Sequence, residues 1–205
     1  MSTIFIFVSL WITEVFFESI YEQTEFMMPI RIEDKLQITD YYKTDSHWKQ
    51  EEITDVAAFL VKEMEEHSAY ESENLEYTVI KADAPFYGVY YGQAALPAKP
   101  DELRYCTNKI LEGYEVYDYE NNREIPLYEI EKTGGRDPYE MFLGGNVSLV
   151  TITNPAAEGE KELVVFGDSF SRSIVPLLAQ GYSKTTLYDI RYLPSAYIGN
   201  YSTFN

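Results

Sequence analysis

Residues 162–179, with the sequence ELVVFGDSFSRSIVPLLA, contain the strongest fold signal in the chain. The four apolar residues that follow Glu162 are typical of a central strand buried on both faces of a parallel sheet. Gly167 allows a sharp turn at the end of that strand, and apolar residues at helical spacing begin at Ile174. The stretch therefore predicts a strand–turn–helix unit of an α/β fold, with Ser169 in the turn.

Ser169 occupies a position that suits a nucleophile. A serine at such a junction lies at the edge of the sheet, near the free N–H groups of a helix N-terminus. A neighbouring base can activate its hydroxyl there, and its own N–H can stabilise an oxyanion. Gly, Asp and Ser also occur at many such junctions only as turn and capping residues. Since G-D-S lacks the second glycine of the G-x-S-x-G elbow, a nucleophilic Ser169 needs a base elsewhere in the chain.

The composition is that of a globular protein, because 45% of the 205 residues are hydrophobic and 24% are charged. This length suits one domain with a substantial core. The formal net charge of −18 argues against nucleic acid and anionic lipid as partners, since both are bound by basic surfaces. No apolar run is long enough to span a membrane. The single Cys106 excludes an internal disulfide and leaves the redox compartment and the oligomeric state open.

Aromatic residues are frequent, at 16% of the chain with 19 Tyr and 11 Phe. Tyrosine combines a flat apolar face with a hydroxyl group, which suits contacts with sugars or with another protein. Half-buried tyrosines on β-strands explain the same composition equally well. The composition alone therefore does not assign the tyrosines to a binding surface.

The remaining pattern predicts a parallel α/β core with a β-rich insertion at residues 82–132. An apolar run at 4–12 is interpreted as a buried strand, because no basic residue precedes it as in a signal peptide. The clearest helix is predicted from Glu51 to Met64, where apolar residues follow the i, i+3, i+4, i+7 rule. Further strands are predicted at 75–81, 85–91, 147–153 and 185–191, with a hairpin at 114–130. No repeat or domain boundary is present, so a single domain over 1–205 is predicted.

His47 is the candidate base, since it follows Asp45 by two residues in the segment YYKTDSHW at 41–48. At this spacing a carboxylate can fix the tautomer of the imidazole and stabilise its charged form. A helix-capping aspartate beside a surface histidine is the commoner arrangement of the same residues. His67, at the acidic end of the predicted helix, is interpreted as a solvated cation. Two histidines and one cysteine without H-x-x-x-H or C-x-x-C spacing indicate no metal site.

The segment YYKTDSHW, followed downstream by LVVFGDSFSRSIVPLL and LYDIRYL, resembles the DHHW family of SGNH-hydrolase-like proteins. That family is similar in turn to the alginate O-acetylation proteins, whose matching motif is T-D-x-H-W. The order also agrees, with D-x-H first and the serine later, and the resemblance covers most of the chain from Tyr41 to Leu193. It implies a three-layer, flavodoxin-like SGNH-hydrolase fold with a parallel sheet.

The resemblance implies the roles of three residues. Ser169 matches the nucleophile, His47 the base and Asp45 the residue that orients the base. The chain departs from the family at Ser46, where the name-giving motif has a second histidine and the alginate relatives vary. The resembling proteins are longer at both ends, whereas this chain ends at Asn205, so a truncated version of the fold is expected.

The resemblance also implies groups that bind the substrate or the oxyanion. Beside the Ser169 N–H, Gly145 and Asn146 in the segment FLGGN are the candidates, although a plain turn explains the same residues. Arg191 matches an arginine in a D-x-R-Y segment. The resemblance implies either that this arginine lies near the site or that its role is structural. Trp48, next to the histidine, would form one wall of the site.

The implied activity is serine-dependent ester chemistry that transfers an acetyl group to or from a carbohydrate hydroxyl. An O-acetyltransferase or an acetylesterase of an extracellular or envelope polysaccharide fits, with no metal or organic cofactor and an extracytoplasmic or envelope location. A non-catalytic carbohydrate-binding or envelope-assembly protein with the same fold is the alternative. An acidic interaction domain would explain the charge but not the two motifs.

Overall fold

Two β-sheets and four α-helices make up the described part of the chain, which in this computed structural model comprises residues 3–8, 30–66, 75–94, 98–193 and 198. The strands are β1 (Thr3–Val8), β2 (Thr78–Phe86), β3 (Asp101–Thr107), β4 (Glu115–Asp118), β5 (Arg123–Ile125), β6 (Leu149–Thr153), β7 (Glu162–Gly167) and β8 (Lys184–Asp189). The helices are α1 (Thr54–Glu66), α2 (Val89–Ala94), α3 (Lys109–Glu112) and α4 (Ser171–Leu178). Short 3₁₀ turns include residues 50–52 and 138–141.

The larger sheet has the strand order β1-β7-β8-β6-β4-β5. Strands β1, β7 and β8 are parallel, whereas β6, β4 and β5 continue the sheet in antiparallel pairs. The fold is therefore mixed α/β, and the prediction of a parallel sheet is wrong beyond three strands. An apolar run indicates burial on both faces but carries no information on strand direction, which the connections decide.

The strand–turn–helix unit predicted around Ser169 is present as β7, a turn and α4. Gly167 at the end of β7 pairs with Asp189 at the end of β8, so both strands finish at the same edge of the sheet. Every residue of α4 is buried, and α4 packs against α1. The turn that carries Ser169 is thus held between the sheet edge and a buried helix.

The predicted helix at 51–64 is confirmed with shifted bounds, since residues 50–52 form a 3₁₀ turn and α1 follows. The apolar face is buried as expected, with Val56, Leu60 and Met64 at 5% exposure or less. Those side chains join the main apolar core together with residues of β6, β7 and α4. Helix α1 is therefore anchored firmly behind the loop that carries Asp45 and His47.

The β-rich stretch predicted at 82–132 is divided between two sheets. Strands β2 and β3 form a separate antiparallel pair, whereas the predicted hairpin is present as β4–β5 and forms one edge of the large sheet. The strand predicted at 85–91 is wrong beyond Phe86, because Val89 begins a helix whose backbone is bonded to a distant loop. A single domain over 1–205 stays a prediction.

A strand is confirmed for residues 4–8 of the predicted N-terminal run, where β1 pairs in parallel with β7. The rest of the apolar run at 9–12, together with His67, lies outside the described residues. No α-helix in the described part of the chain is both long enough and apolar enough to cross a membrane.

Candidate active site

The buried Asp45 and the largely buried His47 form a pair on a closed loop. The loop is fastened by the Tyr42 N–H, which donates to the His47 carbonyl at 3.1 Å, and by a β-bridge between Tyr41 and Trp48. Oδ1 of Asp45 lies 2.5 Å from Nδ1 of His47 and accepts the His47 backbone N–H at 3.0 Å. The contact predicted from the D-x-H spacing is present, and Asp45 does not cap the turn at 50–52 that follows it in the chain.

The carboxylate of Asp45 is held in its ionised form. Burial opposes ionisation, but the hydrogen bond from the His47 ring, the charge of that ring and backbone N–H donors outweigh it, so the pKa of Asp45 is lowered. One of those donors is Val89 at the start of α2, whose N–H lies 2.9 Å from Oδ2. An ionised Asp45 can stabilise a proton on His47.

The second ring nitrogen of His47 is enclosed by the protein. Nε2 is buried and has no hydrogen-bond partner among the described residues. The ring is stacked on Tyr139, with centroids 3.9 Å apart and planes 10° apart, and it also contacts Phe170 at 4.9 Å. Because Phe170 follows Ser169 directly, the serine turn lies against the histidine. The hydrogen bond expected between Ser169 and Nε2 is not formed in this structure.

One hydroxyl group connects the histidine loop to the serine helix. Oγ of Ser173, in the first turn of α4, accepts from the indole N–H of Trp48 at 2.8 Å and from the hydroxyl of Tyr139 at 2.7 Å. The side chain of Gln50 donates to the Ser173 carbonyl at 2.6 Å. These bonds fix the position of His47 relative to the turn that carries Ser169.

Trp48 supports the histidine from behind instead of forming a wall of the site. Its side chain is fully buried and packs edge-on against Phe170. In this position it offers no surface to a substrate, which corrects the expectation from sequence. Tyr139 and Ser173 are the supporting residues that sequence reasoning missed, since no local motif distinguishes one tyrosine among 19.

The turn that carries Ser169 is shaped by Asp168. Oδ1 of Asp168 accepts the Phe170 N–H at 3.0 Å, and the Asp168 carbonyl accepts the Ser171 N–H at 3.1 Å. Burial raises the pKa of Asp168, against the opposing effects of the Phe170 N–H and Arg191. Ser169 itself is partly exposed, so a substrate can reach it.

Gly145 and Asn146 are engaged within their own loop. The Gly145 N–H donates to the Phe142 carbonyl at 3.0 Å, and the Asn146 side-chain amide donates to Glu140 Oε1 at 2.6 Å. Gly145 has φ +71°, and a Cβ there would lie 2.5 Å from the Glu140 Cβ, so the loop needs glycine at this point. These contacts correspond to the plain-turn interpretation, and in this structure they occupy both expected oxyanion donors.

Asp189, at the end of β8, is buried between two arginines. Arg191 donates to both of its oxygens at 2.9 and 2.7 Å, and Arg172 of α4 donates to Oδ2 at 3.1 Å. Burial opposes ionisation of Asp189, but the hydrogen bonds from Arg191 and the charge of Arg172 outweigh it and lower its pKa. Arg191 therefore has a structural ion pair, and it also lies near Asp168. No group of three or more potential metal ligands occurs in the described residues.

Comparison with known proteins gives matches in structure only. No protein-family profile matches the chain, and no curated protein sequence matches it significantly. A DHHW family protein from Eubacterium siraeum superposes with a TM-score of 0.54 at 20% identity, over 76% of this chain and 52% of that one. The chain has the DHHW-family fold.

PatB1 from Bacillus cereus, in a structure with a sulfonyl adduct, is also similar in fold to this chain. Its TM-score is 0.60 at 23% identity, over 75% of this chain and 53% of that one. The O-acetyltransferase domain of Pseudomonas putida AlgJ matches at a TM-score of 0.34 and 13% identity, over 77% and 42% of the two chains. With this TM-score the match does not support the similarity to the alginate O-acetylation proteins. The chain spans about half the length of these structures.

Proposed function

We propose that this protein is a serine-dependent enzyme of carbohydrate esters, an O-acetyltransferase or an acetylesterase. Ser169 is the nucleophile, His47 the base and Asp45 the residue that orients the base. One observation carries the proposal: His47, paired with the buried Asp45 and with its Nε2 unpartnered within the described part of the chain, has its ring against Phe170 in the turn that holds a partly exposed serine. The arrangement is that of a nucleophile, a base and an orienting group.

The reaction follows from the roles of these groups. Oγ of Ser169 attacks the carbonyl carbon of an acetyl ester while Nε2 of His47 accepts the hydroxyl proton. Asp45, kept ionised by its lowered pKa, stabilises the imidazolium that forms, and the serine N–H faces the developing oxyanion. His47 then returns the proton to the departing alcohol, and the acetyl group remains on Ser169. Water or a sugar hydroxyl, deprotonated by His47, releases the acetyl group as acetate or as a new ester.

Two further observations support the proposal. Stacking on Tyr139 holds the imidazole in one orientation, with Nδ1 toward Asp45 and the ring in contact with Phe170 of the serine turn. PatB1, which is similar in fold, has been determined with a sulfonyl adduct, and sulfonyl reagents form such adducts with activated hydroxyl groups. The proposed chemistry needs no metal or organic cofactor, and a location at the cell envelope or outside the cytoplasm is part of the proposal.

Labelling with phenylmethylsulfonyl fluoride tests the proposal. Ser169 Oγ should displace fluoride from sulfur, so intact mass and peptide mapping should locate one sulfonyl group at Ser169. The label should be absent from Ser169→Ala and form far more slowly on His47→Ala, whereas Ser183→Ala, which alters a partly buried serine bonded to Lys161, should label normally. A label on another residue, or an equal rate on His47→Ala, would contradict the assignment.

A non-catalytic carbohydrate-binding protein with the same fold is the second candidate. It is favoured by the missing hydrogen bond between Ser169 and His47 and by the engagement of Gly145 and Asn146 within their loop. Hydrogen bonds at catalytic sites are often loose without substrate, so we place it second. A folded wild-type protein that does not react with the sulfonyl fluoride would favour the non-catalytic carbohydrate-binding protein.

Gly88 supplies a prediction that depends on the close packing behind Asp45. A Cβ at this position would lie 2.3 Å from the Asp45 Cβ and 2.5 Å from its Oδ2 and from the Thr44 carbonyl. Gly88→Ala must therefore displace the carboxylate that orients His47, and we expect acetyl-ester hydrolysis to fall about 10–100-fold. Gly134→Ala is the control, since a Cβ there meets nothing within 4 Å. Equal rates for Gly88→Ala and wild type, measured with p-nitrophenyl acetate, would show that the position of Asp45 is unimportant.

A further inference from the structure

A cleft of about 870 Å³ lies next to the Asp45–His47 pair. Its volume falls within the range of pockets that enclose a small-molecule ligand. The cleft has two walls, one formed by the residues around α2 and the other by the segment 132–140. The reaction proposed above uses no residue of either wall as a catalytic group.

The first wall is fastened to the loop that carries Asp45. The Gly88 N–H donates to the Thr44 hydroxyl at 3.0 Å, the Val89 N–H to Asp45 at 2.9 Å, and the Tyr90 N–H to the Thr44 carbonyl at 2.9 Å. The start of α2 is thereby bonded directly to the carboxylate that contacts His47. A ligand against this wall lies beside the Asp45 end of the pair.

The second wall is fastened to the His47 ring. Asp137 lines the cleft and accepts the Tyr139 N–H at 3.2 Å, which starts the 3₁₀ turn at 138–141. Tyr139 in that turn is stacked on the imidazole. The two segments that hold Asp45 and His47 thus form the two sides of one cleft, so a molecule bound between them is adjacent to the proposed catalytic pair.

The chemistry of the walls is aromatic on one side and polar on the other. Tyr87 and Tyr91 have ring centroids 4.5 Å apart and are 39% and 38% exposed. The opposite wall has two carboxylates, Asp137 and Glu140, and two cations, Lys132 and Arg136, so its formal charges balance. Aromatic rings pack against the C–H face of a pyranose, while carboxylates and guanidinium groups accept from and donate to its hydroxyl groups. The mixture of charges matches neither a purely apolar nor a strongly anionic ligand.

We infer that this cleft binds a neutral oligosaccharide segment through the Tyr87–Tyr91 pair. The inference rests on the proposed function, in that the bound glycan is the molecule that carries or receives the acetyl group at Ser169. The net charge of −18 favours a neutral over an anionic glycan, because like charges repel. The cleft would therefore select the substrate by stacking and hydrogen bonds and not by ion pairing.

Calorimetric titration of the Ser169→Ala protein tests the inference without turnover. The probes are cellotetraose and chitotetraose, which are neutral, and tetragalacturonic acid, which is anionic. We expect saturable binding of at least one neutral probe and a loss of affinity of about tenfold or more in Tyr91→Ala, since stacked aromatic contacts contribute on this scale. Tyr91→Phe, which keeps the ring, should stay within about threefold. Tyr119→Ala is the matched control, because Tyr119 is 43% exposed and also lies beside a second tyrosine, Tyr117.

The outcomes separate this inference from the proposed function. Absence of binding by both neutral probes, binding of the anionic probe alone, or equal losses in Tyr91→Ala and Tyr119→Ala would overturn the inference, even if Ser169 reacts with the sulfonyl fluoride. Neutral-glycan binding that is lost in Tyr91→Ala, together with an unreactive Ser169, would support glycan binding in the cleft and refute the proposed enzymatic activity. Thermal unfolding of each variant identifies any loss of binding that comes from a loss of fold.

Discussion

Replacement of His47 by alanine is expected to lower kcat/KM for p-nitrophenyl acetate by about a thousandfold or more, by analogy with serine-hydrolase triads. The effect should be large because the proposed base is Nε2 of His47, which has no hydrogen-bond partner among the residues that the structure describes, and because the Ser169 hydroxyl is a weak nucleophile without a base. Ser169→Ala should cost about as much. The double variant should be scarcely slower than either single one, since the two residues act as a unit.

Asp45→Asn gives a graded comparison for the same measurement. The amide keeps the shape of the side chain but cannot stabilise a charged imidazole, so the loss should be smaller than that of His47→Ala. Circular dichroism and thermal unfolding should show that all four variants keep the fold. Wild-type turnover in Ser169→Ala would refute the nucleophile, and additive losses in the double variant would refute a joint mechanism.

Replacement of Asp189 by alanine is expected to cost about 3–5 kcal/mol of the free energy of unfolding. The carboxylate is fully buried, and its loss leaves the guanidinium of Arg172, also buried, without its ion-pair partner. Arg172 further donates to the carbonyls of Leu143 and Val147, so the damage should extend to the loop before β6. Urea unfolding at neutral pH measures the loss.

The partly exposed Arg191 provides the control for that experiment. Arg191→Ala removes one partner but leaves Asp189 paired with Arg172, so it should cost clearly less than Asp189→Ala. The sign of the pH dependence follows from the lowered pKa of Asp189. Its stabilisation is present above the ordinary carboxyl pKa of about 4 and is lost as the pH falls through the lowered value. The stability difference between wild type and Asp189→Asn should therefore narrow on acidification below about pH 4. A stability difference that widens as the pH falls would contradict a stabilising ion pair at Asp189.

The structural features that the sequence predicted correctly are those determined by residues within one short segment. The strand, turn and helix around Ser169 follow from an apolar run, a glycine and a change of period within 18 residues. The contact between Asp45 and His47 depends on a spacing of two residues, which backbone geometry alone makes short. The buried face of α1 follows from the period of 3.6 residues. Each of these signals is complete within its own segment.

The parts that sequence missed depend on contacts between distant segments. Residues 85–91 have a strand-like composition, but the N–H groups of Val89 and Tyr90 are bonded to Asp45 and Thr44 at the start of a helix. The stacking of Tyr139 on His47 depends on a turn placed by the β2–β3 region and the core. Gly145 and Asn146 were expected near the oxyanion, but the turn pairs them with Phe142 and Glu140. No local pattern encodes such partners.

The shared hydroxyl of Ser173 has a consequence for the order in which the protein is made. Its bond to the Trp48 indole closes a loop of 125 residues, and contacts at such separation form late and slowly. Since a ribosome delivers the N-terminal half first, the loop with Asp45 and His47 emerges long before the helix that fixes it. A nascent chain that has not reached Ser173 therefore lacks the hydroxyl that holds the Asp45–His47 loop against the serine turn.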